Sequence, residues 1–119
     1  MATRKLFVTL LRAELEDAVE GLQELSVTLE KRLKNGEITN YVFNENEALL
    51  KNEISGLKKL LPFIDVFDIS GYSEIDTLAE ALVNMLQMKI EAVDDLGAIR
   101  EIIRRKQKKI LKYFVEQVE

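Results

Sequence analysis

Apolar residues recur at alternating three- and four-residue steps through the first third of this chain, at Val8, Leu11, Leu15, Ala18, Leu22, Leu25 and Leu29. That spacing lays one apolar stripe along a helix, and such a stripe is stable in water only when a neighbouring helix covers it. Helix-on-helix packing is therefore the architecture this sequence requires. With 119 residues, 47% of them apolar, the chain has the size and apolar content of one folded domain with one core, so residues 1–119 are read as a single helical bundle.

The sequence contains no histidine, cysteine or tryptophan. Zinc and most iron sites draw on imidazole or thiolate, and a di-iron bundle site needs Glu-x-x-His pairs. No catalytic, metal or cofactor site is expected. Every apolar run is broken by charge within a few positions, well short of the twenty or so apolar residues of a membrane span. The basic then apolar start, Arg4-Lys5-Leu6-Phe7-Val8, is stopped by Arg12 and Glu14, and we read it as the beginning of a helix. A cysteine-free chain of this kind suits the cytoplasm.

The pattern predicts an all-α, four-helix antiparallel bundle with a long first helix, at roughly 4–34, 45–61, 74–94 and 96–117, joined by short connections. The first helix ends at Asn35-Gly36, a pair suited to a left-handed cap, with Lys31, Arg32 and Lys34 at the negative end of the helix dipole. For the second helix two starts compete. The preferred one has Asn44 as N-cap with Glu47 three residues on and Phe43 packed against Ala48, and the earlier one begins at Thr39. Phe43, Leu50, Leu57 and Ile64 keep one helical phase throughout.

Pro62, the only proline, lacks an N–H and disfavours helical geometry at Leu61, so a stop or kink is expected there, followed by a short helix or packed connection at 63–69. Ser73 with Asp76 three residues on signals the third helix. At Asp94-Asp95-Leu96-Gly97 a tight turn is preferred over one continuous helix through Gly97.

Few features suggest chemistry. Glu14, Asp17, Glu20 and Glu24 recur at helical intervals, on a face predicted to lie in water. Asp65 and Asp68 lie in an apolar run where burial would raise a carboxyl pKa, although aspartates in connections usually accept from backbone donors. Ser70-Gly71-Tyr72-Ser73 lacks the extra glycines and the Lys-Ser/Thr pair of a phosphate loop. Met85 and Met88 offer adaptable apolar surface, and Tyr41, Phe43, Phe63 and Phe67 are expected to cap one end of the bundle.

Charge is segregated. Residues 94–119 hold seven basic and five acidic side chains, whereas residues 1–93 hold ten and sixteen. Arg100, Arg104, Lys108 and Lys112 follow at four-residue steps and, with Arg105 and Lys109, form a face for a polyanion or an acidic partner. The simpler expectation is that this helix lies beside an acidic one, with Lys106 reaching a carboxylate on a neighbour.

By elimination the chain reads as a non-enzymatic helical interaction module of the adaptor, assembly-factor or export-chaperone kind. Val8, Leu11, Leu15, Leu22, Leu25 and Leu29 are its candidate partner-binding stripe. A homo-oligomer, with the dimer favoured, is the expected assembly, and another protein is a possible partner. Nucleic-acid binding through the basic helix is the alternative.

Overall fold

The computed structural model describes residues 2–93 and 97–118, which form α1 (Ala2–Lys34), α2 (Asn40–Asp65), α3 (Ile75–Val93) and α4 (Gly97–Val118). No strand occurs among the described residues. The fold is the expected four-helix bundle. Whether 94–96 forms a tight turn lies outside the described residues, but α3 and α4 are separate helices packed side by side, joined by Arg104 and Gln107 to Glu80.

α1 stops where its sequence says. Gly36 adopts φ +73, its N–H donates to the Leu33 carbonyl at 3.1 Å, and the Glu37 N–H donates to Arg32 at 2.9 Å. These paired bonds satisfy carbonyls the helix end leaves open, and only glycine takes that backbone without strain.

α2 departs from expectation at both ends. It starts at Asn40, with Thr39 as N-cap in extended geometry and its hydroxyl accepting from the Val42 N–H at 3.2 Å. Asn44 is therefore an ordinary helical residue. Thr39 prevails because it satisfies an orphan donor and sets half-buried Ile38 and Phe43 at the two positions of a hydrophobic staple. At the other end the helix continues through Pro62 to Asp65. Leu57, Leu60 and Ile64 are all buried, and ending the helix at Leu61 would pull Ile64 off the core face. Residues 63–65 thus belong to α2, and 66–74 is a packed connection. Phe67 stacks on Tyr72 with ring centres 5.8 Å apart, and Arg4 donates to the Ile69 carbonyl.

The core is assembled from one half of the long hairpin and both shorter helices. α1 contributes Phe7, Leu11, Leu15 and Val19, α2 Leu57, Leu60 and Ile64, α3 chiefly Leu78, Leu82, Val83, Leu86 and Ile90, and α4 Ile99, Ile103, Ile110 and Phe114. The buried side of α1 therefore advances in steps of four, enlisting Phe7 and Val19, which the three-four reading omits. The radius of gyration is 16.8 Å, above the roughly 13.5 Å of a compact domain this long. The excess goes with an elongated shape, 54 × 33 × 18 Å, whose long axis matches the roughly 50 Å length of the 33-residue α1.

Candidate interaction surfaces

Two bonds fix the antiparallel register of α1 and α2: the Ser26 hydroxyl on the Glu47 carboxylate at 2.7 Å, and Arg12 on Asp65 at 2.6 and 3.1 Å. A third pairing sets α4 against α1, where Lys106 and Lys109 both donate to Glu14 at 2.9 and 3.0 Å. Among the described residues, the buried core draws on α1 only as far as Val19 and on α2 only from Leu57 onward. The two helices form an arm of roughly thirteen residues each, about 20 Å long.

Burial along single heptad series records the change. Leu11 is fully buried, Ala18 is half-buried and Leu25 is 52% exposed. Leu15 is fully buried, while Leu22 and Leu29 are half-buried. On α2, Ile64 and Leu57 are buried, whereas Leu50 and Phe43 are half-buried. The expected partner-binding stripe therefore divides. Leu11 and Leu15 serve the core, with Val8 packed on its flank, and cannot meet a partner. Leu22 packs against the core's edge, and Leu25 and Leu29 continue the same stripe beyond the buried core. Leu49, at 60%, and Val42 add exposed apolar surface from α2.

The basic helix has all but one of its basic charges engaged within the molecule. Arg104 pairs with Glu80 at 3.1 Å and Arg105 with Glu101 at 3.8 Å, Lys109 shares Glu14 with Lys106, and Arg100 and Lys112 are engaged as well. Among the described residues Lys108 has no ion pair. Lys106 reaches a neighbouring carboxylate as its position predicted. Glu14, placed by sequence on a water-facing side, instead faces α4 with its side chain 20% exposed. Hydrogen bonds from Lys106 and then Lys109 hold its carboxyl below the usual glutamate range, against the opposing effect of desolvation.

That depression has a definite sign. A carboxyl with a lower pKa folded than unfolded stabilises the fold above its unfolded value, about 4.3, and the contribution vanishes as pH falls through the folded value. Glu14→Gln is expected to lower unfolding free energy by about 1 kcal/mol at neutral pH and by progressively less as pH falls below about 4.3. Urea unfolding of both proteins at neutral pH and through a series of acidic pH values measures the difference.

The other sequence candidates resolve into structural parts. Asp65 is held by Arg12, and Asp68 accepts the hydroxyl and the N–H of Ser70 at 2.7 and 2.9 Å. These bonds lower both carboxyl pKa values, the reverse of a general acid's requirement. The cleft beside them, about 660 Å³, is open and lined largely by Val8, Ile64, Phe67 and Ile69. Met88 is exposed and Met85 half-buried, while Leu82 and Leu86 between and before them fill the core.

The aromatic quartet does not share an end of the bundle. Tyr41 and Phe43 lie at the arm tip, whereas Phe63, with Lys89 4.8 Å from its ring centre, and Phe67 lie at the opposite end of α2. Twenty residues of helix separate them, about 30 Å.

No group of three or more acidic side chains able to hold a metal occurs among the described residues, and no helix there is long and apolar enough to cross a membrane. No protein-family model, curated protein or solved structure matches the chain.

Proposed function

We propose that this chain is a non-enzymatic helical protein–protein interaction module, of the adaptor, assembly-factor or export-chaperone kind, that works and self-associates through the α1–α2 arm. One observation carries this reading: the apolar series that bury Leu11, Leu15 and Leu57 run on into Leu25, which is exposed, and Leu29 and Leu50, which are half-buried. An apolar stripe left open on a soluble helix pair is stabilised by a partner helix. The rival reading, a nucleic-acid binder using α4, is weakened by the pairing of its cations with Glu14, Glu80 and Glu101.

Sedimentation equilibrium from about 1 μM to about 1 mM tests the proposal across the range of weak association. The mass should rise above the chain's 13.7 kDa with concentration. Leu25→Asp combined with Leu49→Asp should hold it at the single-chain value with helix content unchanged. A wild-type mass that stays fixed, or a variant that associates as strongly, overturns the proposal.

A further inference from the structure

Away from the arm, the start of α1, the last turn of α2 and the connection that follows enclose a cleft of about 660 Å³. That volume lies within the roughly 300–1,000 Å³ of small-molecule sites. Its apolar walls are Val8 from α1, Ile64 from α2, and Phe67 and Ile69 from the connection. Ile64 is buried, whereas Val8, Phe67 and Ile69 pack on the core yet stay only half-buried, so each leaves apolar surface facing the cleft. The outer wall is held in place from both sides. Arg4 ties the connection to α1 through the Ile69 carbonyl, and Phe67 stacks on Tyr72. A concavity that is already formed, with apolar walls from three elements, costs little to reorganise when a compact apolar group enters it.

The rim decides what that group must carry. It holds two cations, Lys5 and Arg12, and two carboxylates, Asp65 and Asp68. Both carboxylates are served from within the molecule: Arg12 donates to Asp65 at 2.6 and 3.1 Å, and Ser70 donates its hydroxyl and its N–H to Asp68 at 2.7 and 2.9 Å. Arg12 is engaged in turn by Asp65 and Glu16. The Thr9 hydroxyl donates to the Lys5 carbonyl of its own helix. Lys5 is exposed, and its ammonium has no ion pair among the described residues. An anion is therefore the charge that this rim leaves unanswered. Lys5 and Arg12 stand seven residues apart, about 10 Å along α1, the span of a medium alkyl chain or a pair of rings.

From these features the structure assigns the cleft a ligand class: a small amphiphile with one carboxylate, its alkyl or aryl body on Val8, Ile64, Phe67 and Ile69 and its carboxylate on Lys5. The assignment is independent of the arm, which occupies the other ends of both helices.

Decanoate, kept below its micelle-forming concentration, is the probe. Titrated into dilute isotope-labelled protein, it should bind one molecule per chain with a Kd of about 0.1 to about 2 mM, the range for a ligand of its size. The amide signals that move should be those of Lys5, Val8, Thr9 and residues 67–70. Decyltrimethylammonium, the same chain length with a cationic head, should bind more weakly. Two substitutions at exposed positions separate charge from cavity. Lys5→Glu should weaken decanoate by about fivefold, the effect of exchanging one exposed attraction for a repulsion, and reverse the preference between the two head groups. Thr9→Trp, which fills the cleft from α1, should abolish binding of both with helix content unchanged. Shifts that fall on Leu25 and Leu29 instead, equal affinity for the two heads, a Lys5→Glu variant as tight as the wild type, a Thr9→Trp variant that still binds, or no saturation by about 5 mM would each overturn the assignment. None of those results removes the arm as an interaction surface, which sedimentation tests separately.

Discussion

Leu15→Ala is expected to destabilise the fold by about 2–5 kcal/mol, and Leu25→Ala, ten residues along the same helix, by no more than about 0.5 kcal/mol in dilute protein. Both substitutions remove the same atoms from the same kind of helix, and both positions belong to one sequence pattern. The difference lies in what stands above each side chain. Leu15 is fully buried among side chains of the core, so truncation loses the transfer free energy of three carbons and leaves a cavity that the surrounding helices close only in part. Leu25 is 52% exposed, so most of its surface is already in water and nothing is left to collapse.

For a chain of this length the core change corresponds to a fall in thermal midpoint of roughly 8–20 °C, readable by calorimetry or circular dichroism. Repeating the Leu25→Ala measurement at high concentration adds the association term, because a ligand that binds only the folded state raises its midpoint, and a second copy is such a ligand. An equal loss for the two variants in dilute solution would place Leu25 in the core and remove the arm as a free surface.

The division of α1 into a core half and a free half is where sequence reading reached its limit. The helical stripe, its length and its stop at Asn35-Gly36 are local properties, set by spacing and by a glycine that tolerates positive φ, and they were legible. So was the excess length of the first helix. Where along α1 the other helices would end depends on the register of Glu14 with Lys106 and Lys109, a pairing across more than ninety residues that leaves no local mark. The same pairing takes Lys109 from the basic run that resembles an outward-facing polyanion site when α4 is considered alone, and Glu80 takes Arg104.

Glu47 was misleading for a related reason. Three residues after Asn44 it fits the capping box of a helix start, yet its carboxylate accepts from Ser26 on α1, and Thr39 performs the capping. The beta-branched and aromatic residues of 37–43 weakened the helical signal there, but Phe43 keeps the phase of Leu50 and Leu57, and packing along that phase outweighs propensity. Asp65 and Asp68 took the structural roles that aspartates in connections usually take.

Pro62→Ala is expected to stabilise the protein by about 1–2 kcal/mol, an effect opposite in sign to that of the core truncation. Proline inside a helix removes one backbone bond and crowds the preceding turn, at about 3 kcal/mol. Its restriction of the unfolded chain returns up to about 1 kcal/mol. α2 nevertheless runs through this position, because Leu57, Leu60 and Ile64 bury on one side of it and each contributes about 1.5–3 kcal/mol of apolar burial. The proline is exposed, on the opposite side from those three, so water can serve the Lys58 carbonyl that loses its donor. Alanine restores that donor, keeps the burial of Ile64 and leaves the core untouched. Urea unfolding should show a higher midpoint with an unchanged slope, since the surface exposed on unfolding is the same. A lower midpoint would mean that the proline's bend is itself required, to swing the Val66 to Tyr72 connection back until Arg4 meets the Ile69 carbonyl and Phe67 meets Tyr72. In that case the proline would be a shaping element of the fold's closed end.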